Sequence, residues 1–195
     1  MSEDHEMMCG IEIHQQLDTR KLFCACESRL CDDGVGAYFR KLRPIAGEIG
    51  TVDRAALAQA QKDTGFIYQC APGATCLVDL DEEPPHGPDA EALETSLIFS
   101  ELVNASVVDE IHFMRKIVVD GSNTSGYQRT ALIASDGHIE VNGRRIGILS
   151  VCLEEDAARK VEDTGSLVTY RLDRLGIPLI EVATAPDMRT PEEVL

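Results

Sequence analysis

Short apolar segments dominate the second half of the chain, and they constrain its fold more than any other feature of the sequence. Strands are predicted over residues 107–119, 127–134, 138–141, 146–155, 167–172 and 178–184. Asp136-Gly137 separates two of these segments and is typical of a two-residue hairpin turn, so 127–134 and 138–141 are expected to pair as a hairpin. The pattern predicts a mainly antiparallel sheet.

Helices are predicted at three places. Asp53 is expected to cap an alanine-rich helix that reaches about Thr64, and a longer helix is expected from about Asp89 to Asn104. The apolar stripe of the longer helix consists of Leu93, Leu97, Ile98 and Leu102. Thr190-Pro191 begins a helix that the chain cuts short, which favours a piece of a longer protein. Helices on one face of an antiparallel sheet make an α+β fold.

Charge and cysteine content narrow the class of protein. The 195 residues carry 18 Lys and Arg against 34 Asp and Glu, a net charge of −16, which argues against a protein that coats DNA. Such an acidic surplus also suits a salt-rich cytoplasm. No membrane span or signal peptide is visible, so a cytoplasmic location is expected. The odd number of cysteines, 7, favours free thiols or a metal site over a disulfide framework.

Acidic residues and one histidine point to a cation site. Alternating residues predict a strand over 9–17, with Glu12, His14 and Gln16 on one face. Glu154 and Glu155 end another strand and should point to opposite faces, so one of them is expected to be a direct ligand. Glu181 lies within an apolar strand, where it either faces solvent or binds a partner. One imidazole among carboxylates favours Mg²⁺ or Mn²⁺ over Zn²⁺.

Two further segments offer binding chemistry. Arg115-Lys116 precedes the small polar loop 120–126 and then Gln128, a combination that suits a phosphate group, although a solvated turn has the same composition. No P-loop is present. The thiols of Cys24, Cys26 and either Cys70 or Cys76 could hold a structural zinc ion; plain reduced thiols are the alternative.

Several segments together resemble one family. They are residues 10–17, 76–86, 114–130, 153–159 and 171–181, in this order. This set resembles the B/E family of glutamyl-tRNA(Gln) amidotransferases, and is most similar to the archaeal E type. The resemblance implies that residues 1–195 are an N-terminal catalytic domain, a "cradle" fold related to glutamine synthetase and guanidino kinases. The domains that hold the tRNA body would follow it.

The family's chemistry sets further expectations. The resemblance implies that ATP and Mg²⁺ are used to phosphorylate the side-chain carboxylate of the glutamate on Glu-tRNA(Gln), and that ammonia then gives Gln-tRNA(Gln). A separate asparaginase-like protein of the D type would release the ammonia, in a heterodimer or heterotetramer. The open alternatives are a non-catalytic, metal-stabilised assembly module and a carboxylate–amine ligase of small metabolites.

The resemblance and the loop chemistry also assign residues. The metal ligands are expected to be Glu12, His14, Glu155 and Glu181, with Glu154 close by. The catalytic residues are expected to be Glu12, His14 and Lys116. The residues expected to bind ATP are Arg115, Lys116, Ser122, Asn123 and Gln128.

Overall fold

Two β-sheets organise the chain in the computed structural model, which describes residues 7–32 and 36–195. In chain order the elements are β1 (Glu12–Gln16), β2 (Gly36–Lys41), α1 (Arg54–Ala60), β3 (Gly65–Cys70), α2 (Ala90–Leu102), β4 (Ser106–Val107), β5 (Phe113–Ile117), β6 (Tyr127–Val141), β7 (Arg144–Glu155), β8 (Arg159–Asp163), β9 (Leu167–Arg171), β10 (Pro178–Thr184) and α3 (Pro191–Val194). Residues 1–6, where no signal peptide is expected, lie outside the described residues.

The larger sheet has six strands and is antiparallel throughout. Its order is β1-β10-β7-β6-β4, and β5 also pairs with β6. The predicted α+β class with a mainly antiparallel sheet is confirmed. The predicted strands at residues 146–155 and 178–184 correspond to β7 and β10, whereas the predicted strand 107–119 is broken between β4 and β5.

The hairpin predicted at Asp136-Gly137 is wrong, because β6 runs through both residues to Val141. A Cβ atom on Gly137 would lie 2.9 Å from the Ala105 Cβ atom, so this glycine lets the strand pass the segment that follows α2. The turn between β6 and β7 lies at Asn142-Gly143, where φ is 53° and 74°. Two adjacent residues with positive φ make the type of turn that suits a hairpin.

Helix α2 packs on one face of the larger sheet through small side chains. Ala92, Ser96 and Ser100 are its buried residues, and each serine hydroxyl donates to the carbonyl four residues earlier at 2.8 Å. The predicted apolar stripe is wrong at Ile98 and Leu102, which are 55% and 74% exposed. Small side chains bring the helix axis close to the sheet, and this rotates the larger residues toward the sides of the contact.

The smaller sheet has the order β2-β3-β9-β8, with β3 and β9 parallel. The rings of Phe66, Tyr68 and Tyr170 stack on it with centroids 6.3–6.4 Å apart. The Tyr68 hydroxyl donates to the Gly121 carbonyl at 2.8 Å, and the Tyr170 hydroxyl donates to the Asp120 carbonyl at 3.0 Å. The smaller sheet therefore holds the loop 120–126 in place.

The predicted helix starts are confirmed. Asp53 caps α1 by accepting from two backbone N–H groups, and Thr190 caps α3, which has Pro191 at its start. Helix α1 ends at Ala60, earlier than expected. Across the described residues, each helix is too short or too polar to cross a membrane.

Candidate functional site

A band of polar side chains crosses five strands on the sheet face opposite α2. Because neighbouring strands are in register, alternate residues bring these side chains side by side. The pairs of facing residues are His14 with Glu181, Glu181 with Cys152, Thr130 with Glu154, and Lys116 with Gln128. The side chains of Glu12, His14 and Lys116 are 61%, 46% and 52% exposed, so the band is open to solvent at β1 and β5.

Glu12, His14 and Glu181 meet at the β1 end of the band, as predicted. The His14 Nε2 atom lies 3.2 Å from Glu12 Oε1 and 2.9 Å from Glu181 Oε2. One ligand atom from each residue lies within 4.8 Å of the other two. Two carboxylates and an imidazole at this spacing are a donor set for a hard divalent cation.

Lys116 joins the two halves of the band. Its Nζ atom lies 3.2 Å from Glu181 Oε2 and 3.6 Å from Glu154 Oε2. Burial alone would lower the pKa of Lys116, but the charges of Glu154 and Glu181 outweigh it and raise this pKa. Burial alone would raise the pKa of Glu181, but the hydrogen bonds and charges of His14 and Lys116 outweigh it and lower this pKa. The ammonium group therefore stays charged beside ionised Glu181.

Glu154 is fully buried, and both of its carboxylate oxygens are held. Gln128 Nε2 donates to Oε1 and Thr130 Oγ1 donates to Oε2, each at 2.9 Å. Burial, followed by the charge of Glu181, raises the pKa of Glu154. Gln128, which is expected to bind ATP, donates to Glu154 and also to the Glu155 carbonyl, the latter at 2.7 Å. The β6–β7 register, which brings Thr130 and Glu154 together, is not visible in the sequence.

Glu155 lies on the opposite face of the sheet, away from Glu12, His14 and Glu181. Its carboxylate accepts from the Arg129 backbone N–H and from Arg129 Nη1 at 3.1 Å. Burial raises its pKa, although Arg129 acts in the opposite direction. The expected grouping of Glu155 with the metal ligands is therefore not found, because consecutive strand residues point to opposite faces. Glu154 is the member of the pair that lies on the face of the band, beside Lys116.

Arg115 is separated from Lys116 for the same reason. The Arg115 guanidinium lies over the Tyr127 ring at 5.1 Å, and the Arg115 backbone N–H donates to Glu48 Oε1 at 2.7 Å. The Arg129 guanidinium lies over the same ring at 5.3 Å. The side chains of Arg115 and Lys116 therefore do not form one phosphate site. Strand alternation predicts this separation, because consecutive strand residues point to opposite faces.

Side chains of the loop 120–126 form hydrogen bonds within the loop itself. Asp120 Oδ1 accepts from the Ser122 backbone N–H at 2.9 Å and from the Ser122 hydroxyl at 2.7 Å. Ser122, expected to bind ATP, is thereby committed within the loop. Asn123 is 1% exposed, and its amide nitrogen and oxygen have no hydrogen-bond partner among the described residues. A buried amide of this kind needs water or a ligand.

A second cluster of possible metal ligands lies apart from the band. Atoms of Cys24, Cys26, Cys76 and Asp79 lie within 4.8 Å of one another, and Cys70 is outside this group. A hydrogen bond to Cys26 and burial raise the pKa of the Cys24 thiol. Asp79 Oδ1 already accepts from Lys21 Nζ at 3.0 Å, and Asp79 Oδ2 accepts from the Cys76 backbone N–H at 2.9 Å.

Known proteins are similar to this chain in sequence. Residues 7–195 match the family model described as the GatB/GatE catalytic domain. The E subunit of the glutamyl-tRNA(Gln) amidotransferase of Methanocaldococcus jannaschii is 59% identical over 185 residues, which cover 94% of this chain and 29% of that protein. The E subunits of Sulfurisphaera tokodaii and Pyrococcus furiosus are 53% and 51% identical, over 94% and 98% of this chain and 29% and 30% of theirs. The chain spans about 30% of the length of these curated relatives. It belongs to the GatB/GatE catalytic domain family that its sequence motifs resemble.

Proposed function

We propose that the chain is the catalytic part of an ATP-dependent glutamyl-tRNA(Gln) amidotransferase. The band of Glu12, His14, Glu181, Lys116 and Glu154 carries the proposal, because it gathers cation ligands and a fixed ammonium group on one open face. Family membership and the names of the E-type relatives support the same reaction.

The proposed reaction has two steps. The glutamate side-chain carboxylate of Glu-tRNA(Gln) attacks the terminal phosphorus of ATP, and ADP leaves. Ammonia then attacks the acyl carbon, and phosphate leaves as the amide of Gln-tRNA(Gln) forms. The first step builds negative charge around the transferred phosphoryl group, and the second builds it on the acyl oxygen and the departing phosphate, so positive groups beside them stabilise both transition states.

The residues of the band have distinct roles in this chemistry. Mg²⁺ held by Glu12, His14 and Glu181 would neutralise phosphate charge when bound. Lys116 supplies a positive charge that is held by its hydrogen bond to Glu181 and by the nearby carboxylate of Glu154, which Gln128 and Thr130 keep in position. Ammonium must lose a proton before it attacks, and the Glu154 carboxylate is an acceptor in the band that lies outside the proposed cation ligands.

The complete complex with ATP, ammonia and Glu-tRNA(Gln) tests this proposal. The variants His14→Ala and Glu181→Gln should lower the rate of Gln-tRNA(Gln) formation by at least about 100-fold. Glu110→Gln is the matched control, because Glu110 is exposed and pairs with His112 away from the band. Unchanged rates in His14→Ala and Glu181→Gln would refute the site assignment.

The same assay separates the alternatives. Thermal stabilisation by Mg²⁺ without ATP turnover in the complete complex would indicate an assembly module. Conversion of free glutamate without tRNA would indicate a ligase of small metabolites.

We infer that a separate ammonia-releasing, asparaginase-like protein of the D type completes the enzyme as a heterodimer or heterotetramer. The names of the relatives, which describe subunits, support an assembly of several chains. Co-purification with glutamine-dependent activity would support this arrangement, and full glutamine-dependent activity of the E-type protein without any partner would contradict it.

We also propose that Cys24, Cys26 and Cys76 hold a structural zinc ion. Three thiol sulfurs beside a carboxylate are a zinc donor set. Metal analysis of protein purified under reducing conditions should find about one zinc ion per chain, and Cys76→Ser should lose it. If the wild-type protein contains no zinc and Cys76→Ser is as stable as the wild type, the thiols are plain reduced cysteines.

A further inference from the structure

Asp156 follows β7 directly and extends the face of the sheet that carries the polar band. The Asp156 backbone N–H donates to the Ile177 carbonyl at 2.8 Å, and the Gly176 N–H donates to the Asp156 carbonyl at 3.0 Å, so the pairing of the chain continues past the strand. Alternate residues share a face, which places Asp156 on the side of Glu154 and about 7 Å further along. Its contact with Gln16, which shares the face of His14, agrees with this placement.

The carboxylate of Asp156 is fixed by neighbours but not saturated by them. Oδ2 accepts from Gln16 Nε2 and Oδ1 accepts from the Ala157 backbone N–H, each at 2.7 Å. A carboxylate oxygen can accept two hydrogen bonds, so among the described residues each oxygen keeps one acceptor position. The side chain is 17% exposed, and this carboxylate therefore reaches solvent at the edge of the band.

Arg174 lies beside the carboxylate without closing it. The Arg174 Nε atom is 3.6 Å from Asp156 Oδ2 and donates instead to the Ala157 carbonyl at 2.8 Å. Arg174 Nη2 donates to the Ala158 carbonyl at 3.1 Å. Because backbone carbonyls hold the guanidinium group, the carboxylate can still accept from a compact ammonium ion.

The position of Asp156 suits the amino acid of the proposed substrate. In glutamate esterified to tRNA, the α-ammonium group is the positive group of the amino acid. Four bonds separate its nitrogen from the reacting carboxyl carbon, which is about 5 Å when the side chain is extended. A charge-assisted hydrogen bond adds about 2.8 Å at the nitrogen, and together they span the step of about 7 Å from Glu154 to Asp156.

We propose that Asp156 binds the α-ammonium group of the glutamyl ester while the reacting carboxylate lies beside Lys116. Gln16 is the positioning residue that holds the Asp156 carboxylate. The identity of the substrate rests on the proposed function. Asp156 repels the carboxylate of the glutamyl group and attracts its ammonium group, whereas Lys116 does the opposite. These two charges therefore set the direction in which the glutamyl group enters the band.

Kinetics of the complete complex with two esters test the proposal. One substrate is Glu-tRNA(Gln); the other is the 2-hydroxyglutaryl ester that nitrous acid makes from it, in which a hydroxyl group replaces the α-ammonium group. In the wild type, kcat/KM should be at least about tenfold lower for the hydroxy ester. Asp156→Asn should lower kcat/KM for Glu-tRNA(Gln) by a similar factor and leave the value for the hydroxy ester nearly unchanged.

Asp163→Asn is the matched control. Asp163 lies in β8 of the smaller sheet and pairs with Lys160, so this variant should keep the wild-type preference for the ammonium ester. Melting curves show whether each variant is folded. The comparison of the two esters on the wild-type complex needs no variant, and equal kcat/KM values there would overturn the proposal.

The remaining outcomes separate this proposal from the proposed function. If Asp156→Asn lowers kcat/KM equally for both esters, Asp156 is a structural partner of Arg174 and the proposal is overturned. If Asp156→Asn handles Glu-tRNA(Gln) like an active wild type, the proposal is also overturned and the proposed function stands. If the wild-type complex forms no Gln-tRNA(Gln) with ATP and ammonia, both fail.

Discussion

Two adjacent glutamates show how much a single residue position decides in this site. Glu154 faces the open band and is held by Gln128 and Thr130, whereas Glu155 faces the interior and is paired with Arg129. Both carboxylates are buried, and burial is the largest influence on each pKa. The two glutamates differ in their charged partners. Glu154 lies near the solvent-exposed ammonium group of Lys116, whereas Glu155 pairs with the mostly buried guanidinium group of Arg129.

We expect Glu155→Gln to destabilise the fold by about 3 kcal/mol, because it leaves the Arg129 charge buried without its partner. Glu154→Gln keeps a side chain of the same shape, so its main effect should be lost amidotransferase activity. Urea unfolding and the rate of Gln-tRNA(Gln) formation measure the two effects. The reverse pattern, a stable Glu155→Gln and an unfolded Glu154→Gln, would contradict this division.

The pH dependence of stability should have opposite signs at Glu181 and Glu154. The pKa of Glu181 is lowered by folding, so this carboxylate stabilises the fold above pH 4.5 and the effect disappears as the pH falls through its folded pKa. The pKa of Glu154 is raised, so stability decreases as the pH rises from 4.5 through its folded pKa. In metal-free buffer, Glu181→Gln should have a lower free energy of unfolding than the wild type, and this difference should shrink as the pH falls. Glu154→Gln should become more stable relative to the wild type as the pH rises. Parallel pH curves for both variants would contradict these pKa shifts.

At the scale of elements, the packing of α2 gives a direct test. A leucine at position 96 must enter the helix–sheet contact, so Ser96→Leu should cost about 1–3 kcal/mol. Leu102 is exposed, and Leu102→Ser should change the free energy of unfolding by less than about 0.5 kcal/mol. Denaturant unfolding measures the free energy of unfolding of both variants. Equal losses would mean that the face of α2 that packs on the sheet is assigned wrongly.

The elements of the larger sheet were predictable because alternation marks a strand with one buried face. Alternation predicts β1 and the face shared by Glu12 and His14, whereas β7 and β10 are predicted as short apolar segments. In the smaller sheet, β2, β3 and β8 were missed. β2 lies in a stretch with several glycines and a proline, which favours irregular structure, and the pairing of β3 with β9 depends on residues far apart in the chain.

At the scale of the whole molecule, the acidic surplus should make stability depend on salt. A net charge of −16 favours the unfolded chain through self-repulsion, which dissolved ions screen. The melting temperature should rise when KCl is increased from about 0.05 M to about 1 M, where the screening length falls to about 3 Å. A melting temperature independent of KCl would show that the excess charge is already compensated within the fold.

The site as a whole was only partly predictable. Strand alternation puts Glu12 and His14 on one face, and the family resemblance adds Glu181 to them; the structure brings the three together. The support of Glu154 by Gln128 and Thr130 was not foreseen, because it depends on which residues of β6 and β7 face each other. The contact of Gln16 with Asp156 joins residues 140 positions apart in the chain, and no local pattern marks such a meeting.

The pairing of β1 with β10 has a consequence for folding. His14 and Glu181 are 167 residues apart in the chain, yet they face each other across this pair. Closing so long a loop costs entropy before any contact repays it, so such pairings tend to form late. Because β1 lies at the edge of its sheet, its backbone amides should exchange hydrogen sooner than those of β7. The cation ligands would then be assembled last and released first, which leaves most of the sheet intact when the site opens.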